Sequence, residues 1–111
     1  MIDDWPICEP PDQDQLARHA DDLIHRAHLV RRNGWDKYRN LWSCGEVIGT
    51  ALILGDDEEL HRSDETPHSG FTRWAFELWG ITGGQADTDA GLPRTRAWFD
   101  SLPSDIRPTK K

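Results

Sequence analysis

From Leu16 to Gly34 the chain spells an amphipathic helix, and that helix constrains everything else it can build. Leu16, Ala20, Leu23, Ile24, Ala27 and Val30 recur at helical spacing and define one apolar face. Asp12 stands where an N-cap belongs and Gln15 three residues on completes a capping box. Asp14 lies in the first turn, where the helix dipole favours an anion. At the far end Arg31 and Arg32 occupy the last turn, Gly34 can take the left-handed position, and Trp35 falls where a residue just past the cap packs back on Val30. A helix with one apolar stripe has to bury that stripe against other elements.

The partners are helices too. Ser43 and Glu46 form a second capping box, after which Val47, Ile48, Ala51, Leu52 and Leu54 give a broad apolar face ending at Gly55. Asp56 and Glu59 repeat the pattern at once, so "DDEELHR" reads as a short helical turn and "SDETPHSG" as a loop. Thr66 and Pro67, or Ser69 as the cap instead, open a helix with Phe71, Trp74, Ala75 and Leu78 at i, i+3, i+4 and i+7. Gly80 is expected to stop it, with Ile81 packing back on Phe76, and "TGGQADTDAG" to be a loop. Pro93 starts a final helix carrying Ala97, Trp98 and Leu102, and Pro103 and Pro108 prevent further extension.

The reading is an all-α fold, a small irregular bundle of about four helices over roughly 13–32, 44–54, 68–79 and 93–101. Leu23, Ile24, Ala27, Val47, Ile48, Ala51, Leu52, Trp74, Ala75, Leu78 and Trp98 form its expected core. Residues 12–102 make a single helical domain, preceded by an extended N-terminal arm (1–11) that Trp5 and Ile7 can pin, and followed by a flexible tail (103–111). The 111 residues suffice for one modest core. Aliphatic side chains are scarce, but six tryptophans compensate, since each can bury on the order of 200 Å².

Charge narrows the partners. Thirteen Lys and Arg against twenty Asp and Glu leave a net charge of −7, which repels nucleic acid and anionic membrane overall. There is no apolar run of bilayer length, and "MIDDWPICEPPDQDQ" is acidic where a signal peptide would be basic, so the expectation is cytoplasmic with no membrane partner. Cys8 and Cys44 are then expected as free thiols.

Cys44, in the first turn of its helix, has the placement of a hydrolase thiolate, with His61 and His68 following in the chain. On the helical wheel, however, Ile48 and Ala51 lie within about 40° of it, which predicts a buried structural thiol. No sheet is present to deliver a histidine in the papain manner. Among His19, His25 and His28 only the last two share a helix face, and a third metal ligand is missing. "DTDAG" fails as a calcium loop because its glycine comes at the fifth position and no glutamate follows at the twelfth. No catalytic set, metal or cofactor is expected, and the chain reads as a non-enzyme.

The segment 26–39, "RAHLVRRNGWDKYR", stands out: five basic residues and one acid, with Trp35 and Tyr38 interleaved, in an otherwise acidic chain. Arg31, Arg32, Trp35, Lys37, Tyr38 and Arg39 are the candidate partner-binding residues, because Arg, Trp and Tyr dominate interface energies and a cationic corner attracts an acidic helical partner. Two alternatives stand beside this: a nucleic-acid-binding helical domain using 26–39, helped by Arg94 and Arg96, and a cysteine hydrolase built on Cys44. The acidic stretch 56–65 reads as a solvated loop, or as a nucleic-acid mimic.

A tryptophan and cysteine opening a small-residue helix, preceded by a long amphipathic helix ending "NGW" and followed by a helix with a "WGI" stop, resembles a group of short proteins of unknown function from actinobacteria and their phages. The similarity runs from about Leu16 to Leu102. In that family the cysteine follows the tryptophan directly, whereas here Ser43 intervenes between Trp42 and Cys44. The resemblance implies a small phage-encoded accessory protein acting on a host protein, with no catalytic residues to assign.

Overall fold

The structure, a computed structural model, describes residues 13–102; the arm at 1–11 and the tail at 103–111 lie outside the described residues. It is all-α, with no strand among the described residues. The elements are α1 (Gln13–Asn33), α2 (Cys44–Leu54), α3 (Asp57–Arg62), α4 (Pro67–Asp89) and α5 (Pro93–Asp100).

Helix α2 is the centre. Every residue from Val47 to Leu54 is buried, because α1, α3 and α4 all pack on it, while α5 packs on α4. Its ends are fixed locally. The Ser43 hydroxyl accepts from the Glu46 amide (3.2 Å), and the Ser43 amide donates back to the Glu46 carboxylate (3.0 Å). At the other end Gly55 adopts φ 69°. Its amide and that of Asp56 donate to the carbonyls of Leu52 and Ala51, a Schellman stop. Helix α1 ends at Gly34 (φ 85°) with the simpler single bond from the Gly34 amide to the Val30 carbonyl, 2.7 Å.

Close approach of α2 and α4 depends on glycine. A Cβ on Gly49 would lie 2.6 Å from the Trp74 ring, so the indole rests directly on the α2 backbone, and its Nε1 donates to the Gly45 carbonyl at 3.1 Å. Helix α4 opens on a Thr66/Ser69 capping box, so the expected loop at 63–70 becomes helical from Pro67.

Two expectations about α4 are corrected. Gly80 does break the helix, at φ 82° and ψ −178°, a conformation essentially confined to glycine. The helix nevertheless resumes and runs to Asp89, where a loop was expected. What offsets the poor helical propensity of Gly83 and Gly84 is tertiary: the second half folds back so tightly that a Cβ on Gly84 would meet the Phe76 backbone at 2.7 Å. Ile81, expected to pack on Phe76, is instead 78% exposed.

Nine of the eleven expected core residues are buried, while Ile24 and Trp98 are only partly so. In α5 the inward positions are Thr95 and Phe99, and Leu102 just past its end is buried as well. Phe99 takes the core place expected for Trp98, meeting Phe71, Trp74 and Trp98 edge to face. The rotation of α5 is set by Asp87. One carboxylate oxygen accepts from the Arg94 amide (2.9 Å) and the other from the Thr95 amide (2.9 Å) and hydroxyl. Leu92, at the N-cap with φ 67°, has no capping side chain of its own.

Candidate protein-binding face

The turn at 35–42 connects α1 to α2 and carries four of the six candidate residues. Two of them are engaged inward. Tyr38 is only 8% exposed. Its ring stacks on Trp42 with centroids 4.7 Å apart, and its hydroxyl accepts from Asn33 Nδ2 at 2.7 Å. Arg39 grips Glu59 through two bonds of 2.8 Å, from Nε to Oε2 and from Nη2 to Oε1, and reaches Asp36 through Nη1 at 2.9 Å. Hydrogen bonding to Glu59 first, and to Asp36 second, raises the Arg39 pKa above the ordinary arginine value. These two side chains therefore hold the turn onto α1 and α3. For Tyr38 this corrects the expectation of a contact residue, since a ring stacked inside cannot meet a partner.

The other four lie at the surface. Arg31, Arg32 and Lys37 are exposed and Trp35 is half-buried. The Trp35 indole donates to Asp56 Oδ2 at 2.9 Å, tying the end of α1 to the start of α3. Between these ends lies a groove of about 430 Å³, with Val30, Arg31, Gly34 and Trp35 on the α1 side and Leu54, Gly55, Asp56 and Asp57 on the α2–α3 side. Val30 and Trp35 line the same side of it. Arg26, the remaining base in this half of the segment, is bonded to Asp22 (2.8 Å) and Glu46 (3.0 Å) and lies over the Trp42 ring.

Cys44 is exposed, which corrects the expectation of a buried thiol. Cys44 belongs to the first turn of α2, and burial begins only at Val47. Beside it a polar cleft of about 250 Å³ is lined by His19, Asp22, Ser43, Gly45, Glu46, Arg73, Trp74 and Glu77. His19 meets the edge of Trp74 with centroids 5.5 Å apart, and His25 and His28 are exposed. Among the described residues no three His, Cys, Asp or Glu side chains come together as a metal-ligand set.

In α5 the Arg94 guanidinium lies 4.1 Å from the Trp79 ring centroid and Arg96 lies 5.0 Å from that of Phe71. Both side chains cover aromatic faces of the domain itself. Sequence reasoning missed Asp87 and Glu59 as buried carboxylates. A signal for the first was present: a helix opening "LPRT" has no local capping side chain, so another segment must supply the acceptor.

Among the described residues no helix is long and apolar enough to cross a membrane. No protein-family model, curated protein or solved structure matches the chain.

Proposed function

We propose that this chain is a small non-enzymatic accessory protein that grips a partner protein with the end of the bundle where α1 and α2 finish. The groove between Trp35 and Leu54 carries the reading. It offers an apolar floor from Val30, Trp35 and Leu54 and a rim with Arg31, beside exposed Arg32. A half-buried tryptophan next to arginine is the combination that most often anchors an interface. The complementary partner presents an apolar side chain beside carboxylates, which the basic rim attracts while the net charge of −7 holds other acidic surfaces off. In a phage-encoded protein of the kind the chain resembles, that partner is a host protein met in the cytoplasm.

Arg26 and Arg39 are paired with Asp22, Glu46, Asp36 and Glu59, which reduces the cationic surface open to a phosphate backbone and favours protein over nucleic acid. The test is affinity capture from native cytosol with the wild-type chain and with the triple variant Arg31→Glu, Arg32→Glu, Lys37→Glu. The variant should keep its thermal midpoint within about 5 °C, since surface substitutions usually change stability little, and should lose the captured protein. A folded variant that retains the same protein at full strength sinks the proposal, as does duplex DNA binding by the wild type that falls steeply with salt.

A further inference from the structure

Helix α4 turns back on itself without a loop. Helical residues run up to Trp79 and resume at Ile81, so Gly80 alone, at φ 82° and ψ −178°, makes the reversal. That backbone conformation is essentially confined to glycine. A Cβ on Gly80 would nonetheless meet nothing within 4 Å. The bend thus rests on the backbone angles of one residue and not on any neighbour pressed against it.

Past the bend, residues 81–102 form a unit tied to itself and to one surface. Asp87 joins the second half of α4 to the start of α5 through the Arg94 and Thr95 amides and the Thr95 hydroxyl. Toward the body the unit meets the first half of α4. Gly84 lies on the Phe76 backbone, the Trp79 indole donates to Thr95 Oγ1 at 3.0 Å, and Phe99 meets Phe71 and Trp74 edge to face. None of these contacts requires both sides to belong to one chain. We propose that 81–102 is an exchangeable arm that opens at Gly80 and docks on the same surface of a second copy, so that two chains pair by trading arms.

The arrangement follows from the bend. With Gly80 rotated to ordinary helical angles, α4 becomes one straight helix of 23 residues, about 35 Å long, and carries the arm off its own body. Opening alone would expose Leu92 and Phe99, which are buried in the closed arm, so the open arm has to find a mate. Two open chains related by a two-fold axis beside Gly80 give each body the arm of the other. Every arm contact is then remade between chains. The exchange also joins the two helix ends that the bend creates, whose last carbonyls and first amides lack helical partners. Short hinges invite such exchange, and this hinge is a single residue. Opposing it are the freedom lost on pairing and the weak helical propensity of Gly83 and Gly84, which keep the dilute chain closed. Glu77, three residues before the bend, shares a cleft with Ser43 at the amino end of α2, so the groove at its carboxyl end takes no part.

Refolding from urea at about 10 µM and at about 1 mM, followed by sedimentation velocity, tests the exchange in the range where weak dimers dissociate and form. Wild type should be monomeric at the lower concentration and partly dimeric at the higher. Gly80→Ala disfavours the bend and favours the straight helix in both chains, so it should raise the association constant at least about tenfold. In ¹H–¹⁵N spectra of the dimer the Trp79 indole and Thr95 amide should keep their monomer positions, because their contacts are rebuilt, while the amides next to residue 80 move. A wild type monomeric at both concentrations overturns the proposal, as does a folded Gly80→Ala that pairs no better than wild type. A dimer with displaced Trp79 indole and Thr95 signals overturns it too, since pairing then uses another surface. Should Gly80→Ala fail to fold by circular dichroism, the wild-type dimer and its Trp79 and Thr95 signals decide alone.

Discussion

Glu59 and Asp87 are each only 3% exposed, yet their surroundings differ completely. Glu59 is neutralised by side-chain cations, Arg39 at 2.8 Å and Arg62 at 3.3 Å, which bring the 35–42 turn down onto α3. Asp87 is answered by backbone amides and a hydroxyl, and the Trp79 indole extends the set by donating to Thr95 Oγ1 at 3.0 Å. Burial pushes the Asp87 carboxyl up, but the bonds from Thr95 and the Arg94 amide, with the Arg94 charge, outweigh it and hold the pKa below the ordinary value. A long arginine tolerates small shifts of its target, whereas two amides at the start of a helix fix an acceptor in one place. The groove end of the molecule is thus tied by side chains that can readjust, and the α4–α5 end by a network that cannot.

Asp87→Ala should break the rigid end with the largest effect. It leaves the amides of Arg94 and Thr95 and the Thr95 hydroxyl without their acceptor, at a cost of about 3 kcal/mol. In a domain of this size that lowers the thermal midpoint by about 12 to 24 °C. Arg39→Met tests the adaptable end. It strips Glu59 of its main partner, but Arg62 remains, so the loss should be about 2 kcal/mol in urea unfolding, short of the 3–5 of a fully orphaned charge. Adding Glu59→Leu to that variant should recover most of the loss, because the buried charge is then gone. A larger loss for Arg39→Met than for Asp87→Ala would reverse the comparison.

Trp79→Phe should cost about 1 kcal/mol, removing one hydrogen bond from the network while keeping a ring beneath Arg94. The smallest effect expected is on pH dependence. Because the folded pKa of Asp87 is lowered, its contribution is fully present above the unfolded value of about 3.9 and is lost as pH falls below it. The midpoint of the wild type should therefore fall more steeply below about pH 4 than that of Asp87→Asn. Parallel curves would remove Asp87 from the account.

Local punctuation was readable from sequence, and long-range pairing was not. The Ser43/Glu46 box and the glycines at 34 and 55 act within a few residues, so their signals lie next to their effects. Gly80 shows the limit: a glycine able to leave the helical region does not reveal whether the helix resumes, and only the contact of Gly84 with Phe76 decides that. The same holds for the candidate face. Arg39 stands in a basic run and Glu59 in an acidic one, and each run reads as solvated until the fold places them together across 20 residues. Arg32 and Lys37, which have to meet only water or a partner, kept the exposure their composition suggested.

The burial of α2 on every side has a consequence for synthesis. A helix buried on every side has no face of its own for water, and α2 leaves the ribosome before α3, α4 and α5 are made. The 25 residues from Gly55 to Trp79, which carry Trp74 and Ala75 to cover it, take about 1 to 5 s at roughly 5–20 residues per second. For that interval the nascent chain displays Val47 to Leu54 uncovered on one side, a sticky segment that a chaperone would bind or a neighbouring chain would trap.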